Sequence, residues 1–326
     1  MIKDAHATAI ATTGLTKRYD RALALREVDL EIPRGALYGL IGPNGAGKTT
    51  LIQLLAVAQE PTLGEISFFG ERLRTDRPQP HLKRQIGYLP DDFPVYEDLS
   101  VWNYLDYFAR LYQLRGKARQ RRLQEVLELV NLTHKRHSLT SQLSRGMKQR
   151  LGLARTIIHD PAILLLDEPV SGLDPIARQE FREVMAILHS LGTTILISSH
   201  LLSDLAELCT HVGIMEMGCL VESTTLNALY DRFSRQWVQL KLLGSALQLP
   251  DLRQHLENRP QVKDLQWLSP PEEAVTIVQF QHQGDSSDLA ALLRSLVEAN
   301  FPVVEFRPIQ ENLEDIFLKI GHTQAI

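Results

Sequence analysis

Short aliphatic or β-branched runs alternate with amphipathic stretches over the first 225 residues, a pattern that predicts an α/β domain. The strands expected are Ala36–Ile41, Glu65–Phe69, Ile163–Asp167, Thr194–Ser198 and Val212–Glu216. Several are apolar almost throughout, as strands covered on both faces must be. Helical periodicity marks Thr49–Val57, Met147–His159, Ile176–Ser190 and Leu201–Cys209.

Between about 94 and 142 no strand pattern occurs, and the stretch reads as a helical subdomain inserted in the α/β body. Ser100 is placed to N-cap the run VWNYLDYFARLYQL, and Gly116 interrupts before KARQRRLQEVLELV. In the first run Val101, Leu105, Phe108 and Tyr112 share a face, while Trp102, Tyr104 and Tyr107 widen it. Such a helix is expected to be covered on more than one side. After Tyr230 the texture changes again. Strands at Trp237–Leu242, Val262–Leu268, Val275–Gln281 and Val303–Pro308 and helices at Leu252–Asn258 and Ser287–Asn300 give the order β-α-β-β-α-β. That order is ferredoxin-like, and a short helix in ENLEDIFLKI is expected to follow. The chain thus divides into residues 1–225 and a smaller α+β accessory or regulatory domain, 226–326.

Composition narrows the class. The 326 residues are 44% hydrophobic and 23% charged, which excludes a disordered or fibrous chain. A net charge of −4 gives no basic surplus, so no nucleic-acid partner is expected. The two cysteines, Cys209 and Cys219, exclude a disulfide framework or a cysteine-based zinc site and suit a reducing compartment. Apolar runs fall far short of a membrane span, and MIKDAHATAI lacks a signal-peptide core, so a cytoplasmic protein is expected.

The segment Gly42-Pro43-Asn44-Gly45-Ala46-Gly47-Lys48-Thr49 matches G-x-x-x-x-G-K-[ST] between an apolar strand and a helix, a phosphate-binding loop (P-loop). Gly42, Gly45 and Gly47 let backbone N–H groups converge on phosphate oxygens, and the helix that begins near Lys48, running on through Thr50, adds its positive end. Lys48 supplies a full charge for the β- and γ-phosphates, and the Thr49 hydroxyl suits Mg²⁺. Such a loop takes a nucleoside triphosphate. The apolar strand ending in Asp167-Glu168 completes the set. Asp167 is suited to hold Mg²⁺ directly or through water, and Glu168 to orient and deprotonate an attacking water.

Upstream of that strand lies Leu143-Ser144-Arg145-Gly146-Met147-Lys148-Gln149-Arg150. Here the chain resembles the ATP-binding cassette (ABC) ATPases, whose signature L-S-G-G-Q occupies this place. Ile86-Gly87-Tyr88-Leu89-Pro90, Ser171-Gly172-Leu173-Asp174 and Ser199-His200 follow the family order, and the resemblance spans about residues 8–225. Within the family the chain resembles drug- and antibiotic-exporter subunits, a likeness that extends to Asn312–Phe317.

The resemblance implies a P-loop NTPase core and an ATP hydrolase using ATP and Mg²⁺. Tyr19 would stack on adenine, and His200 would bond the γ-phosphate. Two copies would pair head to tail, each ATP lying between one P-loop and the other copy's Ser144, Arg145, Gly146 and Met147, with Asp174 at the seam. A separate transmembrane permease would be the partner, which places the chain on the cytoplasmic face of the membrane. Phe93–Tyr96 and the helix from Val101 are docking candidates, although internal packing explains them equally well. The basic run from Arg115 to Arg122 is either a solvated helix face or a contact for anionic lipid. The cargo stays open.

Three residues depart from the family pattern: Asp91 stands where Gln is usual and is expected to alter metal affinity, Arg145 replaces the first signature glycine, and Met147 replaces the signature glutamine. The competing reading is a soluble, non-transport ABC ATPase acting on a nucleic-acid or ribosomal partner.

Overall fold

The computed structural model describes residues 8–20, 22–74, 76–200, 208–233, 236–245, 249–270 and 273–309. The helix expected from Leu201, the ENLEDIFLKI helix and the Asn312–Phe317 segment lie largely or wholly outside the described residues. The chain forms two compact units, Met1–Leu226 and Asn227–Ile326.

In the first unit, a four-stranded antiparallel sheet is built from β1 (Thr8–Tyr19), β2 (Ala22–Pro33), β4 (Leu63–Phe68) and β5 (Glu71–Arg72), in the order β2-β1-β4-β5. The second sheet has six strands in the order β10-β9-β3-β8-β7-β6. Its members are β3 (Leu37–Ile41), β6 (Ile86–Leu89), β7 (Ile163–Leu166), β8 (Thr194–Ser199), β9 (His211–Glu216) and β10 (Cys219–Thr225). All pair in parallel except β10, which runs antiparallel to β9. Every residue of β3, β7 and β8 is buried, which explains the apolar run of β7 and the apolar centre, Ile195–Ile197, of β8. Side chains from both sheets, among them Leu25, Leu30, Tyr38, Phe68 and Leu165, join α1 (Lys48–Leu55) in one core.

Helix α2 (Pro80–Arg84) precedes β6. Helices α3 (Val101–Leu111) and α4 (Gly116–Leu129) follow it, with Ser100 capping α3 by accepting from the Asn103 N–H at 3.2 Å. Only part of α3 is covered: Val101, Tyr104, Leu105 and Ala109 are buried, whereas Tyr107 and Leu111 are exposed. The expectation of cover on several sides is therefore not met within this chain. Of the basic run, Arg119 pairs with Asp106 at 2.7 Å and Arg121 with Glu125 at 2.7 Å. Arg122 pairs with Asp160 at 3.3 Å and also reaches α5 (Arg145–Ile157), donating to the carbonyls of Ile157 and Ile158 at its C-terminal end. Helix α6 (Pro175–Ser190) follows β7.

The second unit begins in α7 (Leu226–Phe233). Beyond it lie β11 (Gln236–Leu243), α8 (Pro250–Glu257), β12 (Val262–Trp267), β13 (Val275–His282), α9 (Ser286–Glu298) and β14 (Val303–Ile309). The strands form an antiparallel sheet in the order β12-β13-β11-β14. Val238, Leu240, Val278 and Phe280 pack with Leu252 and Leu256 of α8 and Leu292 and Leu296 of α9. Among the described residues no helix is long and apolar enough to cross a membrane.

Candidate functional site

Four neighbouring strands of the parallel sheet carry the candidate site residues beyond their C-terminal ends. In spatial order these are β3, β8, β7 and β6, followed by the glycine-rich loop, His200, Asp167-Glu168 and Asp91, respectively. The register pairs Ile41 with Ser199 and Leu89 with Leu166, so residues far apart in sequence emerge along one edge. Ligands of parallel α/β sheets bind at that edge.

The loop from Gly42 to Gly47 ends in α1, whose N-cap is Gly47 at φ 103°. Only glycine adopts that conformation without strain, and a β-carbon would also lie 2.8 Å from the Ala24 carbonyl oxygen. Gly45, at φ 82°, is left-handed with open space around it. Gly42 differs, because its φ is not positive. A β-carbon there would come within 2.3 Å of the Met215 carbonyl oxygen, so close backbone approach, rather than loop curl, requires this glycine. Pro43, Asn44 and Thr49 are exposed, Thr50 is half-buried, and Ala46 is buried, its carbonyl accepting from the Gly218 N–H at 3.0 Å.

Lys48 is buried at 6% exposure, and its ammonium donates to Gly42 O at 2.7 Å and Pro43 O at 3.2 Å. It also faces Glu168 Oε1 at 3.4 Å. The other oxygen, Oε2, accepts from His200 Nδ1 at 2.7 Å, which leaves Nε2 of His200 as the free end of the ring. Glu168 is in the left-handed region at φ 48°, a strained conformation for a non-glycine residue. Its N–H donates to Ser198 Oγ at 2.9 Å, and the Ser198 hydroxyl donates to Asp167 Oδ1 at 2.8 Å. Sequence reasoning missed Ser198. The signal available was the buried pair Ser198-Ser199 closing the apolar run Ile195–Ile197.

Burial raises the Asp167 carboxyl above its usual range, opposed by hydrogen bonds from Ser198 and Thr49 and reinforced by the charges of Glu168 and Asp91. The same acidic surroundings contribute to Tyr88, whose hydroxyl burial pushes to about 12. Asp167, hydrogen-bonded by Thr49 and within reach of the Asp91 charge, would offer oxygen donors only, where negative charge is in excess. That chemistry fits a small hard divalent cation shared with phosphate oxygens.

Other sequence-predicted residues lie elsewhere. Tyr19 ends β1 with its hydroxyl donating to Gln59 and the Lys17 ammonium 5.0 Å from its ring centroid. Ser144 N-caps α5 by accepting from the Met147 N–H at 3.3 Å, Gly146 packs against Ala177, and Asp174 N-caps α6 by accepting from the Ala177 N–H at 2.9 Å. Arg145 donates to the Ser171 carbonyl at 2.9 Å. Among the described residues no hydrogen bond or ion pair joins residues 144–147 to residues 42–50 of the same chain.

Known proteins resemble the chain in sequence and in fold. Residues 25–171 match the ABC transporter family model. The bacitracin transport ATP-binding protein BcrA of Bacillus licheniformis is 34% identical over 96% of this chain and 97% of its own. The chain belongs to the ABC transporter family. It is an ATP-binding subunit that hydrolyses ATP. A solved ATP-binding subunit of an ABC transporter matches at TM-score 0.62 and 32% identity, covering 69% of this chain and 93% of its own. A dimeric post-hydrolysis cassette bound to ADP and Pi shares the fold at TM-score 0.60 and 23% identity, over 67% of this chain and 98% of its own.

Proposed function

We propose that two copies of this ABC subunit pair head to tail around ATP and drive a separate transmembrane permease of an exporter. The observation that carries the reading is the linked set Lys48–Glu168–His200 beside the P-loop, to which no hydrogen bond or ion pair among the described residues joins the capped end of α5. In the pair, each triphosphate lies between the P-loop of one copy and Ser144, Gly146 and Met147 of the other. Both faces are helix N-termini, which favour anions. Asp174 and the 76%-exposed Ile176 lie at the seam. Tyr19 stacks on adenine after its ring gives up Lys17.

Lys48 exchanges Gly42 O, Pro43 O and Glu168 for phosphate oxygens. Glu168, released from that pair and steadied by His200 Nδ1, accepts the proton of a water as its oxygen bonds to the γ-phosphorus. The bond to the β-bridging oxygen breaks, and ADP and phosphate leave. Mg²⁺, held by Thr49 and Asp167 with Asp91 close by, would neutralise charge on the β- and γ-phosphates. Loss of the phosphate bridge favours the open pair.

In this reading residues 1–225 are the nucleotide-binding domain, with 94–142 as its inserted helical subdomain and 226–326 as a ferredoxin-like accessory domain. Tyr96, Tyr107 and Leu111, at 47%, 45% and 60% exposure, form the docking patch for the permease. Tyr96 and Tyr107 already pack edge-on at 6.0 Å, a preformed aromatic surface. The subunit would then sit at the cytoplasmic face of the membrane. BcrA, named for bacitracin transport, makes a peptide antibiotic one class of cargo to try first. Affinity purification from detergent-solubilised membranes tests this. The wild type should retain an integral membrane protein that Tyr96→Ala/Tyr107→Ala loses while still hydrolysing ATP, and absence of any membrane protein from the wild type would overturn the permease reading.

A further inference from the structure

We propose that Arg145 is a positioning residue that links nucleotide capture at one site of the pair to hydrolysis at the other. The proposal rests on the head-to-tail pairing above, in which the start of α5 faces the neighbour's nucleotide.

Arg145 opens α5, yet its guanidinium turns toward its own chain. Nη2 donates to the Ser171 carbonyl at 2.9 Å. A β-carbon on Gly172 would lie 2.6 Å from Cζ, 2.6 Å from Nη1 and 2.7 Å from Nη2, so the guanidinium presents its face to that glycine. The Ser171 N–H in turn donates to the Glu168 carbonyl at 3.1 Å. Glu168 is the residue whose carboxylate meets Lys48 and His200. One turn, residues 168–174, therefore holds the hydrolytic carboxylate at one end and the seam residue Asp174 at the other. Arg145 fastens the signature helix to its middle.

A glycine at 145, the usual residue of the signature, has no side chain with which to make this link. Arginine makes it well, since a cation donating to a carbonyl forms a charge-assisted bond and the planar fork also covers Gly172. When a neighbour's triphosphate pulls on the start of α5, the displacement reaches Glu168 through Arg145 and Ser171. The guanidinium itself does not touch nucleotide.

The test measures ATPase velocity against ATP for the full chain and for Arg145→Gly, Arg145→Lys, Gly172→Ala and Arg145→Gly/Gly172→Ala, with ATP-dependent pairing followed in the Glu168→Gln background. We expect a sigmoidal wild-type curve that becomes hyperbolic in Arg145→Gly, with kcat down roughly 2–30-fold, the range for residues that carry coupling. Lysine should restore part of the loss. Gly172→Ala should act like Arg145→Gly and add little to it, because both remove the same contact. Pairing of Glu168→Gln/Arg145→Gly should need no more ATP than pairing of Glu168→Gln.

A higher ATP requirement there would mean that Arg145 binds phosphate directly, and the proposal is overturned. A hyperbolic wild-type curve, an unaltered Arg145→Gly or fully multiplicative losses in the double variant would overturn it as well. If Glu168→Gln pairs normally in those cases, the sandwich survives without the Arg145 link. If Glu168→Gln never pairs, both fall together.

Discussion

Glu168 Oε1 lies 3.4 Å from Lys48 Nζ, an ion pair in which the lysine is 6% exposed and the glutamate 15%. In the proposed mechanism the pair joins the cation that would hold phosphate to the carboxylate that would take a proton. Both follow strands of one sheet, β3 and β7, and the proposed mechanism has both shift partner when a triphosphate enters.

Glu168→Gln keeps the shape and removes the base. We expect kcat to fall by ~10²–10⁴ with ATP affinity retained, whereas Lys48→Ala loses affinity as well. Phosphate release and titration with a fluorescent ATP analogue separate the two effects. Equal loss of binding in both variants would contradict the division of roles.

Asp167 carries a stability cost. Its folded-state carboxyl is raised, mainly by burial, so the proton is held more tightly folded than unfolded. The associated stability is fully present below the ordinary carboxylate range and is lost as pH rises through the folded value. Asp167→Asn should therefore melt at a higher temperature than the wild type at neutral pH, with the difference narrowing toward pH ~4, near the reference carboxylate value, while hydrolysis is lost. Thermal unfolding across pH without nucleotide checks this, and a lower melting temperature at neutral pH would contradict it.

The loop glycines should separate by mechanism. Gly45→Ala has space and bears only left-handed strain, ~1–2 kcal/mol. Gly42→Ala must displace the Met215 carbonyl, and overpacking of that kind reaches about 3 kcal/mol or more. Urea unfolding should rank Gly42→Ala as the more destabilised of the two.

Much of this site could be read in advance because its sequence is local. Gly42–Thr49, the carboxylates after Ile163–Leu166 and His200 after β8 each lie at the end of a fully buried, mainly apolar strand, which marks both strand and site. β1 and β2 were not anticipated. Register shifts around Thr12/Leu15 and Lys17/Arg18, together with the left-handed Glu27, break the period-two alternation that identifies a strand. Ser198 is not legible in advance, because nothing in the sequence separates it from the neighbouring hydroxyl of Ser199. The contact between Arg145 and the Ser171-Gly172 turn is a tertiary fact, and no spacing in the chain encodes it. The exposed face of α3 failed for a related reason: apolar composition predicts cover but not which molecule supplies it.

Within the basic run, Arg122 should matter and Arg121 should not. Arg122 closes the end of α5 through two carbonyls, and losing charged hydrogen bonds of this kind costs ~1.5–3 kcal/mol. Arg121 is 83% exposed in an i,i+4 pair, and Arg121→Ala should cost at most about 0.5 kcal/mol. Denaturant midpoints of the two alanine variants measure the contrast, and equal midpoints would contradict it.

The most direct test of the whole account is the mass of Glu168→Gln in solution, measured by light scattering with and without ATP and Mg²⁺. The account predicts a monomer that becomes a dimer only with ATP, and that Ser144→Arg, which places bulk and charge at the capped end of α5, prevents. A Glu168→Gln protein that binds ATP yet keeps its monomer mass would contradict it.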